Sequence, residues 1–263
     1  MAITDFHNHL IPGVDDGAQT VADSVAGITA FIDSGVGAFV ATPHVDAALS
    51  LYPPEMQRRL AEIDQGWEAL TALCAEKFPG LGVYRGAELL LDVPEPDLSD
   101  PRLRINGGEF FLVEFPYMTV PPNSARVLGQ LRAGGFTPVL AHPERYHGLS
   151  NIDLAGEWRQ AGAYLQVNGG SLLGRYGNRA QQHAFELLRR GWADYICSDY
   201  HARGSPLIGD YTALLIECDA EEQAHTLMQT NPERLLRGQV PLPVAGLRPP
   251  RKSIWQRVGG LFR

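Results

Sequence analysis

Two histidines separated by one residue, His7 and His9, stand at the end of a short apolar run near the N-terminus. On an extended segment, side chains at i and i+2 point to the same face, so both imidazoles can reach one metal ion. Comparable residues close other apolar runs: His44 in Thr42-Pro43-His44, Glu88 in Gly86-Ala87-Glu88, Glu114, His142 in Ala141-His142-Pro143, and Asp199 and His201 in Ser198-Asp199-Tyr200-His201. A lone His or Glu at a strand end is ordinarily a capping or surface group. Six of seven strand ends closing on a ligand-type residue is a pattern that chance rarely supplies. Crowded carboxylates would repel and raise one another's pKa, and bound cations remove that cost. Mixed imidazole and carboxylate donors suit Mn, Fe, Co or Zn better than Ca, and no thiolate insists on Zn. Two such ions about 3.5–4 Å apart can activate water and hold a phosphoryl oxygen, which points to hydrolysis of a phosphate ester.

The elements that must position these residues follow one pattern throughout: a short apolar strand, a polar or small residue, then a helical stretch. Expected strands are Ala2–Phe6, Ala38–Ala41, Gly82–Arg85, Phe110–Val113, Thr137–Ala141, Ala163–Val167 and Asp194–Cys197. Amphipathic stretches between them include Thr20–Ser34, Pro54–Lys77, Asn123–Ala133 and Arg179–Arg190. Gly35, Gly134–Gly135 and Gly191 supply helix stops. Alternating strands and helices predict an α/β fold with parallel strands and helical crossovers. Seven units fit a closed, TIM-like (β/α)7 barrel, whose strand ends would converge on one mouth. The alternative is a doubly wound open sheet, but no GxGxxG or Walker loop favours it.

The 263 residues are 44% hydrophobic and 20% charged, enough for one sizeable core. No apolar run reads as a membrane span, and Met1 to Phe6 lacks the basic start and apolar stretch of a secretory leader. Three scattered cysteines, Cys74, Cys197 and Cys218, argue against a disulfide framework and for a reducing cytoplasm. The net charge of −8 is uneven. Residues 240–263 hold five basic side chains and no acidic one, leaving about −13 on the first 239 residues. Such a body offers no basic face for nucleic acid, so any phosphate affinity must be local. Residues 1–239 read as one domain, and 240–263 as a basic, Pro-rich tail expected to leave it.

Taken together, Asp5-Phe6-His7-Asn8-His9, Pro12-Gly13-Val14-Asp15-Asp16-Gly17, Ala41-Thr42-Pro43-His44 and Gly86-Ala87-Glu88 resemble the polymerase-and-histidinol-phosphatase (PHP) superfamily. Val113-Glu114-Phe115, Ala141-His142-Pro143-Glu144-Arg145-Tyr146, Gln166 to Gly174, Ser198-Asp199-Tyr200-His201 and Asn231-Pro232 narrow the match. The whole resembles the bacterial manganese-dependent protein-tyrosine phosphatases of the CpsB/YwqE type, over residues 1 to about 238. That resemblance implies a distorted seven-stranded PHP barrel. It implies that His7, His9, Glu88 and Asp199 hold one ion, Glu88, Glu114 and His142 a second with Glu88 bridging, and Asp16, His44 and His201 a third. Asp15 competes with Asp16, and the second of the pair matches better. Mn2+ is the implied metal, with Fe, Co, Zn or Mg as alternatives. Arg145 matches an arginine that grips the substrate phosphate, a role suited to a guanidinium that can hold two oxygens at once. Arg203 stands near where a second such arginine is usual, but earlier in the chain and in a shorter loop. The implied substrate is the phosphotyrosine tail of a bacterial tyrosine autokinase that controls capsule or exopolysaccharide assembly, in the cytoplasm near the inner membrane face.

Cys197 to Arg203 also has the Cys-x5-Arg spacing of thiolate phosphatases. Asp199 within that loop would repel a dianion, and Gly204-Ser205-Pro206 opens a helix poorly, so a core cysteine is the better reading. Asn168 to Gly174 follows the sixth strand, which ends without a clear ligand; its glycines could shape the mouth, or the loop could be a tight turn with a helix cap at Ser171. Tyr146, Tyr176 and Tyr200 are candidates to pack a substrate ring, while His147, His183 and His225 read as plain polar residues. Residues 251–263 combine Ile254, Trp255, Val258, Leu261 and Phe262 with basic side chains, a character that suits an anionic membrane surface or acidic partner, or a disordered tail. A small-molecule phosphatase such as a histidinol-phosphatase, or a metal-holding module without catalysis, are the competing functions.

Overall fold

A computed structural model describes every residue except Met1, Gly148, Ser150, Asn151 and 249–263. The strands are β1 (Ile3–Asn8), β2 (Val36–Ala41), β3 (His44–Asp46), β4 (Gly82–Arg85), β5 (Glu88–Leu90), β6 (Phe110–Glu114), β7 (Thr137–Ala141), β8 (Tyr164–Asn168) and β9 (Tyr195–Cys197). Around them run α1 (Val21–Asp33), α2 (Pro53–Lys77), α3 (Ser124–Ala133), α4 (Asp153–Gln160), α5 (Gly169–Leu172), α6 (Asn178–Arg189), α7 (Ile208–Glu217), α8 (Glu221–His225) and α9 (Asn231–Leu236). Among the described residues no helix is long and apolar enough to cross a membrane.

Local chemistry sets the helix ends. At the start of α1 the Thr20 hydroxyl accepts from the Asp23 amide while the Asp23 carboxylate accepts from the Thr20 amide, a reciprocal cap contributing ~1 kcal/mol. Gly35 ends that helix region with φ +86°, a backbone open to glycine at little cost. α2 places Pro53 and Pro54 in its first turn, where no helical amide bond is lost. Its buried Met56, Leu60, Ile63, Leu70 and Leu73 form the apolar stripe, each contributing about 1.5–3 kcal/mol of burial.

All strand pairs are parallel. The seven expected strands are present, and two short strands that were not expected, β3 and β5, follow the second and third. The resulting nine fall into two sheets, ordered β1-β2-β4 and β3-β5-β6-β7-β8-β9, instead of one continuous closed sheet. Pro43 has no N–H to continue the ladder, and Gly86 packs where a Cβ would meet Ile105 at 2.7 Å, so both strands jog at those points. At the far edge, the Asp199 amide donates to His7 O and the His9 amide to Tyr200 O, both at 2.9 Å. These bonds bring the end of β9 beside the end of β1.

Alternation along the strands divides the core. Phe6, Val40, Phe110, Leu112, Val139, Ala141, Tyr195 and Cys197 form an inner cluster. Phe39, Ala41, Phe111, Val113, Leu140, Leu165, Val167 and Ile196 face outward into the larger cluster shared with the helices. Strands buried on both faces explain the near-continuous apolar runs in the sequence.

Residues 240–248 do not leave the body at 239. Asn231 accepts from the Leu242 amide at 2.7 Å and donates to Leu242 O at 3.0 Å, and the Leu247 amide reaches Leu188 O at 3.0 Å. A buried Asn side chain thus binds this segment as a neighbouring strand would. The rest of the expected tail, with its membrane or partner contact, lies outside the described residues.

Candidate metal centre

Each predicted ligand except Asp16 stands at or just beyond a strand end. His7 is the penultimate residue of β1 and His9 lies one residue past its end; His44 opens β3, Glu88 opens β5 and Glu114 closes β6. His142 directly follows β7, and Asp199 and His201 follow β9. Parallel strands aim these ends the same way, so residues distant in sequence form one ring. Asp16 joins it from the loop after His9, which the Ala18 amide ties back to His9 O at 2.9 Å.

Three sets of donor atoms fall within 4.8 Å of one another: His7, His9, Glu88 and Asp199; His9, Asp16, His44 and His201; and His44, Glu88 and Glu114. His7 Nε2 lies 3.2 Å from Glu88 Oε2 and 3.3 Å from Asp199 Oδ1. His9 Nε2 lies 3.4 Å from each of the same two atoms. His142 Nε2 is 3.0 Å from Glu88 Oε1 and 3.8 Å from Glu114 Oε2. Asp16 Oδ1 faces His44 Nε2 at 3.4 Å and His201 Nε2 at 3.3 Å. All nine residues named from sequence are therefore brought together, with Glu88 at the middle. His9 and His44 additionally stand between neighbouring sets.

The donors fit cations. His7 Nε2, His9 Nε2 and Glu88 Oε2 are buried, aimed at one another and without a hydrogen-bond partner, which is costly unless something charged sits among them. Burial drives the Glu88 carboxyl upward, but the imidazoles of His7, His142 and His44 outweigh it and hold it well below the usual range. Burial and the Glu88 charge push Glu114 up to about 8. His142 falls to about 4 through burial and the Arg145 charge, leaving a neutral imidazole suited to a metal.

A second layer fixes the ring, and sequence reading missed most of it. Asp15 is not in the ring: its Oδ2 lies 2.8 Å from His9 Nδ1 and accepts from the His44 amide at 3.2 Å. Gln166 holds His7, and Asn168 Nδ2 donates to Asp199 Oδ2 at 3.1 Å. The signal was present, since Gln166 is a polar residue within the apolar run 163–167 and Asn168 directly follows it. Arg59 on α2 donates to Val14 O at 2.7 Å and His44 O at 2.8 Å, tying the Asp15–Asp16 loop to β3. His142 and Asp199 adopt left-handed backbone, φ 36° and 52°, a strain tolerated where a side chain must be aimed.

The two arginines differ. Arg145 reaches the ring, with Nη1 2.5 Å from Asp199 Oδ2. Arg203 is largely exposed at the rim and donates to Asp16 O at 2.5 Å. Cys197 belongs to the inner core, fully buried, its thiol pushed well above the ordinary range, which removes the thiolate reading. The cap expected at Ser171 is instead Asn168, whose oxygen accepts from the Gly170 amide at 2.8 Å; Ser171 donates to Glu144 at 2.7 Å. Tyr146 and Tyr200 are buried, with hydroxyls committed to Ala141 O and Gly204 O, whereas Tyr176 is half-buried beside Arg145. His147, His183 and His225 lie outside the ring.

Residues 3–237 match the family described as capsular polysaccharide synthesis, CpsB/CapC. The tyrosine-protein phosphatase YwqE of Bacillus subtilis is 29% identical over 239 residues, covering 89% of this chain and 92% of that protein. A putative tyrosine-protein phosphatase CapC of Staphylococcus aureus is 28% identical, covering 76% and 77%. Among solved structures, a chain from the crystal structures of YwqE from Bacillus subtilis and CpsB from Streptococcus pneumoniae, described as metal-dependent tyrosine phosphatases, superposes with a TM-score of 0.75 at 24% identity, over 94% of this chain and 100% of that one. An organophosphorus hydrolase from Deinococcus radiodurans gives a TM-score of 0.53 at 14% identity, over 89% and 92%. The shared feature is a parallel α/β fold.

Proposed function

Because the chain belongs to the CpsB/CapC family of capsular polysaccharide synthesis, we propose that it is a metal-dependent protein-tyrosine phosphatase. Its substrate is phosphotyrosine on protein, in the family's setting that of a bacterial tyrosine autokinase whose activity controls capsular or exopolysaccharide assembly. Its place of action is the cytoplasm at the inner membrane face. The two parallel sheets are read as one distorted seven-unit PHP barrel.

One observation carries the reading: nine His, Asp and Glu side chains, the buried Glu88 among them, converge on one site with an arginine at their edge. In this reading His7, His9, Glu88 and Asp199 hold one cation, Glu88, Glu114 and His142 a second, and Asp16, His44 and His201 a third. The nitrogen and oxygen donors suit Mn2+, with Fe, Co, Zn or Mg as alternatives, and the three cysteines lie outside the ring. When bound, such ions polarise a phosphoryl oxygen and make water nucleophilic near neutral pH. Arg145 orients the phosphoryl group and steadies its developing charge, and Arg203 is placed to assist from the rim. Asp15 and Gln166 hold His9 and His7 with Nε2 inward. Buried strand ends keep bulk water from the inner side of the ring.

Turnover of a phosphotyrosyl peptide compared with histidinol phosphate tests the substrate class. The peptide should show the higher kcat/KM. Preference for histidinol phosphate would replace this reading with a small-molecule phosphatase, and no release from either would leave a metal-holding module.

A further inference from the structure

The Asn168–Tyr176 segment contributes no ligand to the proposed centre, yet it is built against the arginine that serves it. The Arg145 guanidinium carbon lies 4.1 Å from the centroid of the Tyr176 ring, within the range of a cation–π contact. The ring is held in turn. Asn168 Nδ2 stands 3.3 Å from the Tyr176 hydroxyl and 3.1 Å from Asp199 Oδ2. The same Asn168 is fixed through its own oxygen by the Gly170 amide, at 2.8 Å, and through its backbone amide by Glu144, at 3.0 Å. Glu144 immediately precedes Arg145, so the chain closes on itself: the turn bearing the arginine anchors the segment bearing the ring.

Resting on the phosphatase reading above, we propose that Tyr176 is a positioning residue, whose ring is the platform that holds the Arg145 guanidinium flat and ready for the substrate phosphate. An arginine free to rotate loses side-chain entropy each time it grips an anion; one already stacked loses less. The ring face does this work, and the hydroxyl serves to orient the ring.

The test is calorimetric binding of inorganic phosphate to the manganese-loaded protein, which needs no turnover and stays readable if phosphotyrosine proves not to be the substrate. Tyr176→Leu should weaken phosphate binding about 5- to 30-fold. Tyr176→Phe, which keeps the ring, should recover it. In an Arg145→Met background Tyr176→Leu should cost nothing further, because the group it positions is gone. Unchanged phosphate affinity in Tyr176→Leu would overturn the proposal. So would an equal loss with and without Arg145, which would mark Tyr176 as generally structural. A higher KM for phosphotyrosyl peptide with unaltered phosphate binding would place the ring against the substrate instead.

Discussion

Gln166 and His7 are 159 residues apart in the chain, yet the Gln166 carboxamide oxygen sits 2.9 Å from His7 Nδ1. An amide oxygen only accepts, so Nδ1 carries the proton and Nε2 keeps its lone pair for the centre of the ring. Gln166→Leu leaves all nine candidate ligands in place and removes this constraint, together with the side-chain bond from Gln166 Nε2 to Val167 O. Manganese affinity, read by titration calorimetry, should fall ~10–100-fold. Wild-type affinity in the variant would mean that packing alone orients His7.

Cys197 separates the two phosphatase chemistries its sequence context offers. It stacks in the inner cluster with Phe6, Val139 and Tyr195, and burial keeps its thiol protonated. Cys197→Ala should retain kcat/KM toward a phosphotyrosyl peptide and lose ~1 kcal/mol of stability in urea unfolding. Abolished turnover in a folded variant would reinstate a thiolate mechanism.

Much of this site was legible in the sequence because its information is local. An apolar run ending in His, Glu or Asp is visible without knowing where the chain goes next, and parallel topology then gathers the ends. The interruptions were less visible. The expected second and third strands end at Ala41 and Arg85, whereas the chain returns to strand at His44 and Glu88, just past Pro43 and Gly86. Asp15 looked like a rival ligand to Asp16; only geometry separates a carboxylate facing His9 Nδ1 from one facing His44 and His201 Nε2. Pro241 and Pro243 suggested departure from the body, since proline breaks regular structure. What holds that stretch is the side chain of Asn231, a long-range partner that composition does not announce.

Asp194 gives the fold a pH signature away from the metal ring. Burial pushes its carboxyl up to about 6, partly offset by Arg159, whose Nη1 lies 2.5 Å away. The unfolded value is about 3.9. A carboxyl that binds its proton more tightly when folded favours the native state fully below the unfolded pKa. That contribution is lost as pH rises through the folded pKa. A shift of about two units corresponds to about 3 kcal/mol. Asp194→Asn cannot titrate, so its stability relative to wild type should rise by up to about 3 kcal/mol between about pH 4 and pH 7. A flat difference in urea unfolding across that range contradicts the assignment.

Phosphate release from a phosphotyrosyl peptide, followed as the protein is stripped by a chelator and then titrated with Mn2+, tests the centre as a whole. Activity should vanish as the metal leaves and return as the ion is restored, without recovery in Glu88→Ala, which lacks the side chain shared by two of the proposed sites. Undiminished hydrolysis by protein shown by elemental analysis to be metal-free would contradict the account.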